Sequence, residues 1–354
     1  MRKVVVAGGG YGGLTIVNEL LSKEIPDDVH LTLVDRMPFQ GLKTEYYALA
    51  SGTVADQELR IAFPEDARLT KRYGDILQID LSERLLHLAD QEPLSYDTLI
   101  IALGCTDHYH GVPGAEENTC TIQSFSSART AYQRLCDIRP YGQVTVVGGG
   151  LSGVELAAEL RESRSDLHIR ILDRGPGILS SFPEKLQHYT RKWFLQHEVE
   201  LRGHVALTRV ERSCLHNGEE EILSDEMVWT AGIQPSPLVQ QLNVPKDARG
   251  RIVLNALHQI PDYPEVYVVG DCASLVLSPS AQAAEAQGKQ IAEVLLALWS
   301  NETPRLGAIK LKGVLGSLGK RSGFGVMGEH TVLVGKIPRT LKSGVLWMSK
   351  RHFG

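Results

Sequence analysis

The chain carries the same glycine turn twice. Val4-Val5-Val6-Ala7-Gly8-Gly9-Gly10-Tyr11-Gly12-Gly13 aligns with Val144-Thr145-Val146-Val147-Gly148-Gly149-Gly150-Leu151-Ser152-Gly153 at an offset of 140. Glu19-Leu20 and Glu159-Leu160 extend the match, so 8 of the 17 positions from Val4 to Leu20 are identical in both copies. A period this long marks a duplicated domain, not a solenoid repeat. Both copies satisfy G-x-G-x-x-G. The first glycine makes a tight turn, the second lets the backbone approach a pyrophosphate, and the third allows close helix–strand packing. An acid should close the next strand and reach a ribose. Asp35 lies 22 residues beyond Gly13, and Asp173 lies 20 beyond Gly153.

Each copy reads strand, turn, helix, strand. Val4–Ala7 should lead into a helix near 12–23 and then a strand over 31–35. Val144–Val147 should lead into a helix near 152–161 and then a strand over 168–173. Near-continuous β-branched runs separated by helices predict parallel sheets covered on both faces. The fold class expected is therefore α/β, with two Rossmann-like dinucleotide-binding domains. Further strands are expected over 98–102, 226–230 and 266–269, and a long Ala/Leu-rich helix over 280–299. Val112-Pro113-Gly114 and Gln234-Pro235-Ser236-Pro237 read as linkers flanking the second nucleotide domain.

Charge and cysteine content remove other classes. The 354 residues hold 37 Lys and Arg against 42 Asp and Glu, a net charge of −5, so a nucleic-acid partner is not expected. The five cysteines form no C-x-x-C pair, and no metal site is expected. No secretory core follows Met1, and the apolar segment 291–299 is too short for a membrane span of about 20 residues. The expected location is cytoplasmic. Residues 301–354 carry ten cations and only Glu302 and Glu329 as anions, a net of +8 that leaves −13 on the first 300 residues. Such asymmetry marks a surface for anionic partners, lipid headgroups included.

The motifs resemble the type II NADH dehydrogenases, the single-subunit NADH:quinone oxidoreductases among two-dinucleotide-binding-domain flavoproteins. The resemblance rests on the Gly8–Gly13 turn, Tyr96 to Gly104 (YDTLIIALG), Val228 to Gly232 (VWTAG) and Tyr267 to Asp271 (YVVGD). It also rests on Ser280 to Ala284 (SAQAA) and Leu315 to Lys320 (LGSLGK). It implies a discontinuous FAD domain over 1–112 and 238–300, an inserted NAD(H) domain over 113–237, and a basic C-terminal region over 301–354. The cofactors implied are FAD and NADH. Gly8, Gly10, Tyr11, Gly12, Gly13, Asp35, Arg36, Ala102, Gly104, Asp271 and Gln282 would serve FAD, with Asp271 on the ribityl chain. Gly148, Gly150, Gly153, Asp173, Ala231 and Gly232 would serve the nicotinamide dinucleotide.

Relatives that reduce disulfides carry C-x4-C in the first domain, and the stretch Phe39 to Tyr47 has no cysteine. The flavin must then carry the chemistry itself. Sulfide:quinone reductases share the architecture but need reactive cysteines, for which Cys120 and Cys272 are the candidates. Glu155, where the resemblance places an acid between nicotinamide and flavin, is the expected catalytic residue. A plain carboxylate in a first helical turn, favoured by the helix dipole, is the alternative. Two features depart from the family. Ala286 stands where its A-Q-x-A-x-Q-x-G pattern has a second glutamine, Gln287 being turned elsewhere, and the family's terminal amphipathic membrane helix is expected to be lacking.

Three activities remain open: transfer from NADH through FAD to a quinone-like acceptor, NAD(P)H-dependent flavin reduction with a non-quinone acceptor, or a non-catalytic redox sensor. A homodimer is expected, as is peripheral attachment to an anionic inner membrane face through the tail, with Leu341, Val345, Leu346, Trp347, Met348 and Phe353 as apolar anchors.

Overall fold

Val4, Val5, Val6 and Ala7 are all fully buried, the condition of a strand at the centre of a sheet covered on both faces. The computed structural model, which describes residues 2–328 and 331–352, places Arg2–Ala7 in a six-stranded sheet. The strand order is Gln259–Ile260, Tyr263–Val268, Thr98–Ile101, Arg2–Ala7, Val29–Asp35, Leu69–Tyr73. All pairings are parallel except the first, and Val4 sits between Thr98 and Leu31. The crossover helix Tyr11–Leu21 packs against the long helix Ala281–Trp299, whose entry is capped by the Ser280 hydroxyl accepting from the Ala283 amide at 3.2 Å. A Cβ on Gly288 would lie 2.8 Å from the Gly12 carbonyl oxygen, so only glycine permits this crossing distance.

The second copy builds a five-stranded, wholly parallel sheet in the order Cys120–Thr121, Glu226–Trp229, Gln143–Val147, His168–Leu172, Val199–Arg202. Its crossover helix is Leu151–Ser163. The elements expected from sequence are present with ends shifted by up to three residues. The chain passes to and from this sheet through an antiparallel ribbon, Cys105–Asp107 against Ile233–Pro235. Gln234-Pro235, read from sequence as linker, is therefore strand, and Pro237 opens the short helix Pro237–Gln241, where its missing N–H is not needed.

The C-terminal region is ordered structure. Gly313–Leu318, Ser322–Met327 and Thr331–Gly335 form an antiparallel meander, and Lys336–His352 is a helix. The chain thus carries a terminal helix, where the sequence reading expects the family's terminal amphipathic membrane helix to be lacking. Pro338 and Gly344 interrupt the sequence pattern, but Pro338 falls in the first turn, where proline is tolerated. The meander packs on Leu151–Ser163 and Glu184–Gln196, and the terminal helix packs on the meander, with Leu318 and Phe324 fully buried. No helix among the described residues is long and apolar enough to cross a membrane. Phe353 lies outside the described residues.

Candidate functional site

The two glycine turns have the same geometry. Gly8 and Gly148 both take φ +112°, a conformation L side chains rarely adopt. A Cβ on Gly13 would fall 1.9 Å from the Gly8 carbonyl oxygen, and one on Gly153 would fall 2.0 Å from that of Gly148. A Cβ on Gly10 or Gly150, by contrast, would meet nothing within 4 Å. Both helices start at these glycines without a side-chain cap, so their first amides face the open space. An open, glycine-lined space at an uncapped helix N-terminus fits a pyrophosphate.

The paired acids are also equivalent. Asp35 accepts from the Gly9 amide at 2.7 Å and the Met37 amide at 2.8 Å. Asp173 accepts from Gly149 at 2.7 Å and Gly175 at 2.6 Å. Each acid thus pins its own glycine turn. Burial raises the Asp35 pKa, with the backbone amides opposing. Arg36 next to it is exposed.

The remaining sequence candidates fall around these two cradles. Ala102 backs the first turn, its carbonyl oxygen 2.4 Å from where a Gly8 Cβ would stand, and Gly104 follows at φ +64°. Tyr11 meets the Thr44 hydroxyl at 3.0 Å, and burial pushes its own hydroxyl up to about 12. Gly12 packs against Val269. Asp271 accepts from the Cys105 thiol at 2.9 Å. Gln282 accepts from the Lys312 amide. Ala231 backs the second turn, and its carbonyl oxygen lies 2.8 Å from His110 Nε2, beside Gly232. Gln287 is fully buried and bonds the Gly270 amide and the Val268 carbonyl, so it faces inward, as the helix period predicts.

Glu155 is the fifth residue of its helix, just past the first turn, and sits in a buried cluster. Its buried carboxylate accepts from the Ser317 amide at 2.9 Å, the Ser317 hydroxyl at 3.3 Å and the Lys342 ammonium. Lys342 also donates to the Tyr47 hydroxyl at 2.7 Å and lies 3.4 Å from Glu45, while Tyr47 donates to Glu45 at 3.0 Å. Glu155 comes from the second repeat, Glu45 and Tyr47 from the first, and Ser317 and Lys342 from the C-terminal region. Burial raises the Glu155 pKa, Lys342 opposes, and Glu45 adds to the rise. Burial also carries the Tyr47 hydroxyl well above its ordinary value. Two carboxylates sharing one ammonium in a water-poor site form a group that can hold or pass a proton.

The sequence reading missed Glu45, Tyr47, Ser317 and Lys342 as site residues. A carboxylate in the first repeat and an ammonium in the tail, 297 positions apart, leave no local signal. Cys120 and Cys272 are buried thiols, each pushed up to about 12 by burial, the reverse of an activated cysteine.

Residues 2–288 match the family described as pyridine nucleotide-disulphide oxidoreductase. The chain belongs to that family. Within it, the chain is 51% identical over 356 residues to the NADH dehydrogenase-like protein YutJ of Bacillus subtilis, covering all of both chains. It is 25% identical over 402 residues to a type II NADH:quinone oxidoreductase of Haemophilus influenzae, covering 97% of this chain and 90% of that one. The fold superposes on NDH2 from Plasmodium falciparum in complex with NADH with a TM-score of 0.85 at 16% identity, over 99% and 96% of the two chains. This family member therefore keeps the two-cradle architecture without the cysteine pair that the family's name describes.

Proposed function

We propose that this chain is an FAD-dependent NADH dehydrogenase of the type II kind, which oxidises NADH and delivers the electrons to a quinone-like acceptor. The observation that carries the reading is the conjunction of two equivalent dinucleotide cradles with one buried Glu155–Lys342–Glu45 cluster. FAD is assigned to the first cradle and the domain of residues 1–112 and 238–300. NADH is assigned to the second cradle and residues 113–237. When bound, FAD supplies the two-electron carrier between nicotinamide and acceptor.

The chain's own residues then bind, orient and handle protons. Gly10 and Gly150 leave room for the two pyrophosphates, and the uncapped amides behind them supply donors. Asp35 and Asp173, already fixed by backbone amides, present their remaining lone pairs to ribose hydroxyls. Reducing a quinone consumes protons, and Glu155 Oε1, bonded to Lys342 Nζ, is the site assigned to supply one. Ser317 and Tyr47 hold that carboxylate and ammonium in place.

Membrane attachment is assigned to the terminal helix. Arg339, Lys342 and Leu346 point inward, where Arg339 donates to the Gly319 carbonyl at 3.0 Å. Ile337, Leu341, Val345 and Met348 recur at helical spacing on the opposite side and are exposed. An apolar stripe on a cationic region suits an anionic leaflet, where each basic residue contributes about 1 kcal/mol. Full-length protein should co-sediment with anionic vesicles and be released as salt rises. Equal sedimentation with neutral vesicles at low salt would remove this assignment.

The test of the activity is anaerobic. NADH should bleach the flavin absorbance of the purified protein, and a panel of quinones should restore it within a turnover. Bleaching by NADH with no quinone able to restore the absorbance would sink the acceptor assignment.

A further inference from the structure

A second lysine stands at the first cradle, and none of the assignments above uses it. Lys43 opens the 3-10 turn Lys43–Glu45, separated by one residue from the strand Phe39–Gly41. Its neighbour Thr44 is tied to Tyr11, the residue after Gly10, through a 3.0 Å hydroxyl contact. The Lys43 ammonium donates to Cys105 Sγ at 3.0 Å and lies 4.0 Å from Asp271 Oδ2. Cys105 follows Gly104 beyond the C-terminal end of the strand Thr98–Ile101, and Asp271 lies beyond the end of Tyr263–Val268. These are the strand ends at which ligands of open α/β sheets bind.

The charges around Lys43 make its role specific. Burial pushes the Cys105 thiol up to about 12, so it stays protonated and donates to Asp271 instead of neutralising Lys43. The carboxylates facing Lys43 are Asp271 and Asp107, and burial pushes Asp107 up to about 6. Asp107 Oδ1 is buried with no hydrogen-bond partner. Without Lys43, the titratable groups left among these would be one thiol and two carboxyls. Hydride transfer from NADH brings one proton and two electrons, so NAD leaves one unit more positive and the bound flavin becomes one unit more negative. An acidic wall would oppose that change, and an ammonium favours it.

We propose that Lys43 is a flavin-tuning residue, placed by Cys105 and Asp271 to offset the negative charge that bound FAD gains on reduction. The proposal rests on the assignment of FAD to the first cradle. It predicts that Lys43 strengthens binding of reduced FAD more than binding of oxidised FAD.

The test is the flavin midpoint potential of holoenzyme, measured by anaerobic dye equilibration in wild type, Lys43→Met and Lys43→Arg, with exposed Lys192→Met as control. Lys43→Met should lose at least tenfold in the ratio of reduced to oxidised affinity, a fall of about 30 mV for a two-electron couple. Lys43→Arg should recover most of it, and Lys192→Met should match wild type. Should Lys43→Met purify without FAD, the same ratio is read by titrating its apoprotein with oxidised and with chemically reduced FAD. A larger loss for the reduced form supports the proposal. An unchanged potential, or equal loss for both redox states, overturns it. Wild-type protein that retains no FAD would instead overturn the cradle assignment itself.

Discussion

The two glycine turns are twins in backbone, and they differ at one position that matters. Gly8 and Gly148 share φ +112°, and each paired acid pins its own turn through two amides. At the fifth residue of each helix the likeness breaks. Thr15 bends back to its own helix, its hydroxyl donating to the Tyr11 carbonyl at 2.7 Å. Glu155, the equivalent residue, reaches out to Ser317 and Lys342 instead. On the proposed reading, duplication supplies two like binding surfaces and one departure from the repeat supplies the ionisable group, so binding and proton handling should be separable.

The sharpest break of the comparison is a pair of matched substitutions. Gly10→Val should fold, because nothing stands within 4 Å of its Cβ, yet purify without flavin. Gly150→Val should purify yellow and lose at least tenfold in kcat/KM for NADH, because its side chain projects into the other cradle. Flavin content by absorbance and steady-state kinetics check both, and a Gly10→Val protein with normal flavin would dissolve the assignment.

Next comes the buried cluster around Glu155, a position at which the first repeat has Thr15. Lys342→Met leaves Glu155 and Glu45 buried without their shared cation, so thermal or denaturant unfolding should show a loss of about 3 kcal/mol. Adding Glu155→Gln to Lys342→Met should recover part of that loss. No recovery would mean that the two side chains are not coupled.

A smaller effect follows from the raised Glu155 pKa. A carboxyl whose pKa is higher folded than unfolded contributes most to stability below its unfolded value, and that contribution is lost as pH rises through the folded value. Wild type should therefore lose stability relative to Glu155→Gln as pH climbs through and just above the ordinary carboxylate range. Parallel curves would show that Glu155 does not titrate differently in the folded state. The smallest expected effect is at Asp173, which should favour NADH over NADPH by repelling a 2′-phosphate, with exposed Arg174 reducing the margin. A kcat/KM ratio favouring NADPH would take Asp173 out of the ribose site.

What could be read from the sequence was whatever lies within one strand–turn–helix–strand unit. The turns, their acids, the parallel strands and the long helix opened by Ser280 depend on neighbours within about thirty residues, where spacing and hydrophobic period carry the signal. The Glu155 cluster joins residues of three separated segments, and no period links Glu45, Ser317 and Lys342. Lys43 drew notice only as part of a stretch that lacks cysteine, because its partners Cys105 and Asp271 are 62 and 228 positions away. The terminal helix was hidden by Pro338 and Gly344. Its inward face is held by Lys342 and Arg339, contacts that sequence order does not reveal.

The central claim is that binding follows the shared geometry of the two repeats while proton handling follows Glu155, which the first repeat lacks. The most direct measurement is anaerobic stopped-flow of Glu155→Gln, with flavin reduction by NADH and reoxidation by a quinone followed separately. The expected result is full flavin content, reduction within a factor of about two of wild type, and reoxidation slowed at least tenfold, about 1.4 kcal/mol in the barrier. Reoxidation at the wild-type rate, or slowing confined to the NADH step, would contradict it.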